Sequence, residues 1–139
     1  MIYCDTSVLV AALTNEPRTA EIQRWLRARE RDLVVSRWVG TEFASAVALK
    51  RRTGALDSAA TDAALAGWRN FVSGIVMEPV EQHHFDAASA IIVAPKTILR
   101  GGDALHLVIA RNAGHELATF DHQLATACAT HGVTVAFGP

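Results

Sequence analysis

This chain of 139 residues has little cysteine, little proline and almost no net charge, and each shortage excludes a class of protein. Cys4 and Cys128 form neither a Cys-x-x-Cys pair nor a dense framework, so both read as small core residues in a reducing compartment. The apolar run from Val8 to Leu13 is too short to span a bilayer, and Asp5 with no basic residue ahead of it makes a poor signal-peptide start. The expected location is the cytoplasm, with no membrane partner. Thirteen Lys and Arg against fourteen acids leave a formal charge of −1 and a pI near 6.6, which is not the bulk signature of a nonspecific nucleic-acid binder. Any nucleic-acid contact must come from local clusters: Arg24, Arg27, Arg29 and Arg31, Lys50-Arg51-Arg52, or Arg37 and Arg100. Most of these read as solvated helix faces.

Several chemical signatures are missing as well. There is no P-loop, no dinucleotide-binding glycine fingerprint and no nucleophile elbow around Ser7. His83-His84, His106, His115, His122 and His131 contain no H-E-x-x-H, which argues against zinc. No repeat, low-complexity stretch or linker divides the chain, so residues 1–139 are expected to form one domain. A domain of that size buries roughly 68–70% of the surface its unfolded chain exposes, enough for a two-sided core.

What is present is an alternation of short apolar strands and helices. Met1 to Cys4 predicts a buried strand, with Asp5, Thr6 or Ser7 capping a helix to Leu13. An amphipathic helix runs from Arg18 to about Arg31, with Ile22, Trp25, Leu26 and Arg29 at helical spacing. Leu33 to Ser36 reads as a strand, and Trp38 to Arg52 with Asp57 to Phe71 as a helical hairpin. Ile75 to Met77 is a third strand, and Glu81 to Val93 a helix with Phe85, Ala88 and Ile92 near one face. Lys96 to Gly102 is expected as a loop hinged at Gly101-Gly102, after which Asp103 opens a helix from Ala104 to Ala113. Glu116 to Thr119 and Val133 to Phe137 are the last strands, flanking a helix from His122 to His131, and Gly54, Gly114 and Gly132 are expected to close the helices that precede them. This order predicts an α/β fold with a mostly parallel central sheet of about five short strands and helices on both faces. Ligands of such sheets bind outside the carboxyl ends of the strands.

Asp5 and Asp121 fall at that edge, Glu42 follows the second strand by about half a helical turn, and Asp103 follows the glycines. Taken singly, each acid has an ordinary role: Asp5, Asp103 and Asp121 as helix caps, Glu42 on a solvated face. Taken together they need compensation, because unpaired carboxylates about 4 Å apart repel by around 4 kcal/mol at an effective dielectric of 20. A hard divalent cation supplies it, and Mg²⁺ or Mn²⁺ suits carboxylate ligands better than zinc does. His106, three residues after Asp103 on the same helical face, is within reach of an acid but reads first as a satisfied structural histidine.

The motifs Cys4-Asp5-Thr6-Ser7-Val8-Leu9, Glu42 early in a helix, Leu99-Arg100-Gly101-Gly102-Asp103-Ala104-Leu105-His106-Leu107 and Leu117-Ala118-Thr119-Phe120-Asp121 stand in this order along almost the whole chain. The combination resembles a PIN domain, and the third motif in particular resembles the VapC toxins of toxin–antitoxin pairs. The resemblance implies a PIN-like fold and a metal-dependent endoribonuclease, with Asp5, Glu42, Asp103 and Asp121 as an acidic quartet around Mg²⁺ or Mn²⁺. It further implies that Ser7 and Thr119, with Thr6 as a weaker candidate, orient the acids or bound water. It implies a homodimer and a cognate VapB-type antitoxin as partners. On this reading Arg37 or Arg100 steers the RNA backbone, since phosphate contacts position without specifying sequence. Two other readings compete. A phosphatase using Asp5 would need an acid where Ser7 stands, and a catalytically silent PIN-like module for RNA binding or assembly would be favoured by loss of acids, all four of which are present.

Overall fold

The structure, a computed structural model, describes residues 1–95 and 97–139. Five strands form one sheet in the order β3-β2-β1-β4-β5: β1 (Ile2–Cys4), β2 (Leu33–Ser36), β3 (Val76–Glu78), β4 (Glu116–Ala118) and β5 (Val135–Phe137). Every neighbouring pair is parallel, so the expectation of a mostly parallel sheet is met in full. Among the described residues seven α-helices connect them: α1 (Thr6–Leu13), α2 (Thr19–Ala28), α3 (Arg37–Arg52), α4 (Ser58–Val72), α5 (Gln82–Ile92), α6 (Gly101–Asn112) and α7 (His122–Thr130). A 3-10 turn, Glu30–Asp32, follows α2, which stops at Ala28 rather than Arg31.

The chain moves outward from β1 to β2 and β3, then returns to β4 on the other side of β1 and ends at β5. Right-handed crossovers running in opposite directions place their helices on opposite faces of the sheet. Accordingly α1 packs with α2, α3 and α4, while α5 packs with α6 and α6 with α7. The direction changes between β1 and β4, so the crevice beyond their carboxyl ends is the topological switch point, where α/β sheets bind ligands.

Burial explains the elements. β1 and β2 are buried throughout, as apolar strands covered on both faces must be. From Ala104 to Ala110 every residue of α6 is buried, the pattern of a helix enclosed on all sides. In α2, Ile22 and Leu26 are buried, Trp25 stacks on Phe137 with centroids 4.5 Å apart, and Arg29 lies over the Trp25 ring at 4.9 Å. The Phe43–Trp68 stack, 5.3 Å between centroids, joins α3 to α4 as the predicted hairpin. Both cysteines are buried and free, and burial pushes the Cys128 thiol up to about 11, so neither serves as a thiolate. Among the described residues no helix is long and apolar enough to cross a membrane.

Two expectations change. The buried stripe of α5 is His84, Ala88 and Ile91, whereas Phe85 and Ile92 are exposed. The stripe shifts by one residue because the His84 ring turns inward to accept the Glu81 amide in a capping box. The second change concerns the loop expected from Lys96 to Gly102, of which Lys96 lies outside the described residues. Gly101 and Gly102 are not a hinge but the first residues of α6, with Arg100 as N-cap and neither glycine at positive φ. Asp103 therefore sits in the first turn, where an acid complements the helix dipole, rather than at the cap. The left-handed glycines among the described residues are Gly54 (φ 77), Gly114 (φ 68) and Gly132 (φ 73), which close α3, α6 and α7 where glycine stops were expected.

Candidate active site

An open cleft of about 960 Å³ lies beyond the carboxyl ends of β1 and β4, and Asp5, Glu42, Asp103 and Asp121 all line it. Asp5 is the deepest, only 3% exposed, and three donors hold it. Ser7 Oγ (2.6 Å) and the Val8 amide (3.2 Å) donate to Oδ1, and Thr119 Oγ1 (2.5 Å) donates to Oδ2. Asp5 is thus itself the N-cap of α1, a role expected to fall on any of Asp5, Thr6 and Ser7. A carboxylate has about four lone-pair positions, so these bonds leave Asp5 one acceptor position, on Oδ2.

The same hydroxyls stitch the two strand ends together. Ser7 Oγ accepts from the Phe120 amide at 2.8 Å, and Thr119 Oγ1 accepts from the Asp121 amide at 2.9 Å. Asp121 caps α7 through Oδ1, which accepts from the amides of Gln123 (2.7 Å) and Leu124 (2.9 Å) and leaves Oδ2 free for the cleft. Capping and cleft lining therefore coexist in one side chain.

Glu42 arrives differently. It lies in the second turn of α3, which begins at Arg37 directly after β2, so it is farther from its strand than the half-turn expected. Its Oε2 accepts from Thr6 Oγ1 at 2.5 Å and meets His106 Nε2 at 2.6 Å. Thr6 consequently supports Glu42, while Ser7 and Thr119 support Asp5. Trp38 Nε1 is buried beside this carboxylate without a partner in ordinary hydrogen-bond geometry, and its N–H adds only a minor pull on the charge. Gly102 is what permits the approach of α6: a Cβ there would stand 2.5 Å from Glu42 Oε1.

Burial raises the Asp5 carboxyl above the ordinary range, against the His106 ring and its hydrogen bonds from Ser7, Thr119 and Val8, which lower it. Burial also raises Asp103, assisted by the neighbouring Asp121 charge and, less, by Glu42. Partial burial pushes Glu42 up too, but the hydrogen bond and charge of His106 together with Thr6 outweigh it, and this carboxyl ends below its usual value. A fifth acid, Glu16, lines the cleft but is paired with Lys50 at 2.9 Å. Among the described residues the other four have no Lys or Arg partner.

Arg37 and Arg100, expected to steer a substrate, are exposed and do not line the cleft. The arginine that does is Arg18, with its guanidinium 4.6 Å from the Phe120 ring centroid and bonded to Glu21. Arg18 and Phe120 escaped sequence reasoning as site residues. So did Tyr3; His106 was expected within reach of an acid, but that the acid is Glu42 depends, like Tyr3, on a contact across the fold.

Residues 2–129 match the PIN domain family. The chain belongs to the PIN-domain family. This PIN domain is 32% identical over 142 residues to Ribonuclease VapC47 of Mycobacterium tuberculosis (strain CDC 1551 / Oshkosh), covering 98% of this chain and 96% of that protein, and is homologous to VapC ribonuclease toxins. Its fold matches that of Mycobacterium tuberculosis VapC20, a Sarcin-Ricin loop cleaving toxin, with a TM-score of 0.68 at 23% identity over 91% of this chain and 95% of that one. It also matches VapBC2 from Rickettsia felis bound to a promoter DNA fragment, with a TM-score of 0.71 at 14% identity over 99% and 98% of the two chains.

Among the described residues no three His, Cys, Asp or Glu side chains form a ready-made metal cage. The donor set nevertheless fits a hard cation. It is all oxygen, and among the described residues it has no Lys or Arg partner. Mg²⁺ retains several waters and takes only one or two carboxylates directly, so a closed cage is not required.

Proposed function

We propose that this PIN domain is a metal-dependent endoribonuclease, the toxin of a VapB-type antitoxin pair, acting as a single domain over residues 1–139. The observation that carries the reading is the convergence of four carboxylates without Lys or Arg partners on one cleft at the switch point. Homology to VapC ribonucleases supports the substrate class.

Asp5 and Asp103 would hold Mg²⁺ or Mn²⁺ directly, Asp5 through its remaining acceptor position on Oδ2. When bound, the cation would neutralise charge on the phosphate and acidify a water for in-line attack. Glu42 and Asp121 orient that water and accept its proton. Ser7 and Thr119 fix the aim of Asp5, and Thr6 that of Glu42. Arg18 contacts the RNA backbone at the far end of the cleft beside Phe120, whose ring offers a stacking surface for a base. Exposed Arg37 and Arg100 would meet RNA only outside the cleft. Exposed Val76 and Met77 on the edge strand β3, with Phe85 on α5, support a homodimer. The antitoxin partner and a cytoplasmic location follow from the toxin reading.

The test is RNA cleavage by purified protein with Mg²⁺, Mn²⁺ or chelator, comparing wild type with Asp5→Asn and Asp103→Asn. Metal-dependent cleavage lost in both variants is expected. Cleavage in chelator, or full activity in both variants, refutes the mechanism. RNA binding without any cleavage would instead favour a catalytically silent binding module.

A further inference from the structure

The side chain of His106 is 2% exposed and engaged at both ring nitrogens: Nε2 meets Glu42 Oε2 at 2.6 Å and Nδ1 meets the Tyr3 hydroxyl at 2.9 Å. The same hydroxyl lies 2.7 Å from Ser36 Oγ. Tyr3 and Ser36 are wholly buried and sit on the adjacent strands β1 and β2. A hydrogen-bonded line therefore runs from the middle of the sheet, through α6, to one oxygen of a cleft carboxylate on α3.

The direction of this line follows from what each group can donate. An ionised carboxylate only accepts, so Nε2 must carry the proton toward Glu42. In the neutral imidazole Nδ1 is then an acceptor, so Tyr3 donates to it and Ser36 donates to Tyr3; in the imidazolium Nδ1 donates to Tyr3, which donates to Ser36. Burial drives the Tyr3 hydroxyl far above the ordinary phenol range, so it remains a hydroxyl able to play either part. In both forms Nε2–H points toward Glu42.

The two oxygens of Glu42 are thereby divided. Oε2 is saturated by Thr6 and His106, whereas Oε1 accepts no hydrogen bond of ordinary geometry among the described residues and faces Gly102, with the Trp38 N–H the one further donor beside this carboxylate among them. We infer that His106, held from behind by Tyr3 and Ser36, is a positioning residue that clamps Oε2 of Glu42 and so presents Oε1 to the cleft. This rests on the metal-dependent reading above for its consequence, but its geometry can be tested without RNA. Groups that orient a ligand in this way typically change metal affinity or activity by about 10–100-fold when removed.

Long-range ¹H–¹⁵N spectra of the metal-free protein give the first measurement, and a proton on Nε2 of His106 is expected, in the Nε2–H tautomer or the imidazolium. An Nδ1–H tautomer, with Nε2 bare, overturns the proposal. Mn²⁺ titration calorimetry and cleavage kinetics on His106→Leu, His106→Gln and Tyr3→Phe give the second, with thermal melts checking that each variant folds. The Gln amide can still donate to Glu42. Mn²⁺ affinity and kcat should fall about 10–100-fold in His106→Leu, with KM for RNA unchanged, and His106→Gln should recover most of the loss. Tyr3→Phe should lose a few-fold. Equal losses in the Gln and Leu variants, or unaltered Mn²⁺ affinity in a folded His106→Leu, overturn the proposal. If the Nε2 proton and the Mn²⁺ effects appear but no RNA is cleaved, the clamp stands and the ribonuclease reading fails.

Discussion

Two glutamates in this molecule pair with a histidine through Nε2, and the pairs serve different ends. Glu42 and His106 meet at 2.6 Å in the cleft, whereas Glu78 at the end of β3 and His115 just ahead of β4 meet at 2.9 Å away from it. The His106 ring is engaged at both nitrogens, while among the described residues His115 makes only the one side-chain bond. Glu42 also has a second oxygen facing a glycine-cleared space beside other acids. The same two residue types thus give a partly buried clip between strand ends in one place and a piece of a candidate active site in the other. What the second nitrogen and the second oxygen touch makes the difference.

The largest expected effect removes the site that gives the cleft pair its meaning. Asp5→Asn or Asp103→Asn should reduce RNA cleavage at least about 1000-fold, about 4 kcal/mol of barrier, measured in single-turnover assays. Next, the two histidines should separate: His106→Leu is expected to lose about 10–100-fold in kcat, while His115→Leu stays within about 2-fold of wild type. Similar losses in both would erase the distinction drawn above. Gly102→Ala sharpens the role of Oε1, because its methyl would meet that oxygen at 2.5 Å and force Glu42 aside. We expect about a 10-fold drop in Mn²⁺ affinity by titration calorimetry, near the lower end for an orienting group. Gly101→Ala, one residue earlier with nothing within 4 Å of its Cβ, should keep its affinity and gain up to about 1 kcal/mol in helix stability.

The smallest effect is on stability. Asp103 has a raised carboxyl pKa in the folded protein, so the native state holds its proton more tightly than the unfolded chain. In metal-free protein this group therefore favours folding less as pH rises from the ordinary Asp range through the raised value, and the penalty persists at neutral pH. Glu42, whose carboxyl is lowered, acts in the opposite sense: its contribution is present above the ordinary Glu range and is lost as pH falls through the lowered value. Asp103→Asn should accordingly raise the metal-free melting temperature at pH 7, measured by thermal melts. Its advantage should shrink at acidic pH, and Mg²⁺ should stabilise wild type more than the variant.

Much of this architecture was legible in the sequence because its signals are local. Short apolar strands, the helix stops at Gly114 and Gly132, and acids placed just after Cys4 and Ala118 can be read within a few residues of one another. Gly101-Gly102 misled because two glycines resemble a hinge. They are helical, and Gly102 is explained by a carboxylate arriving from α3. Arg37 and Arg100 looked suitable because they flank site motifs, but Arg18 reaches the cleft by way of α2.

The sequence by itself determined the parallel α/β order and, through the strand-end positions of Asp5 and Asp121, the edge of the sheet at which chemistry would be sought. That information is local, carried by hydrophobic period, helix breaks and helix caps. Only the tertiary structure decided that Thr119 would hold Asp5 across 114 positions, that His106 would hold Glu42 across 64, and that Tyr3 would hold His106 across 103. Such contacts have no sequence period. They exist because β1 lies between β2 and β4, and because α6 crosses the sheet close enough for a glycine to meet Glu42.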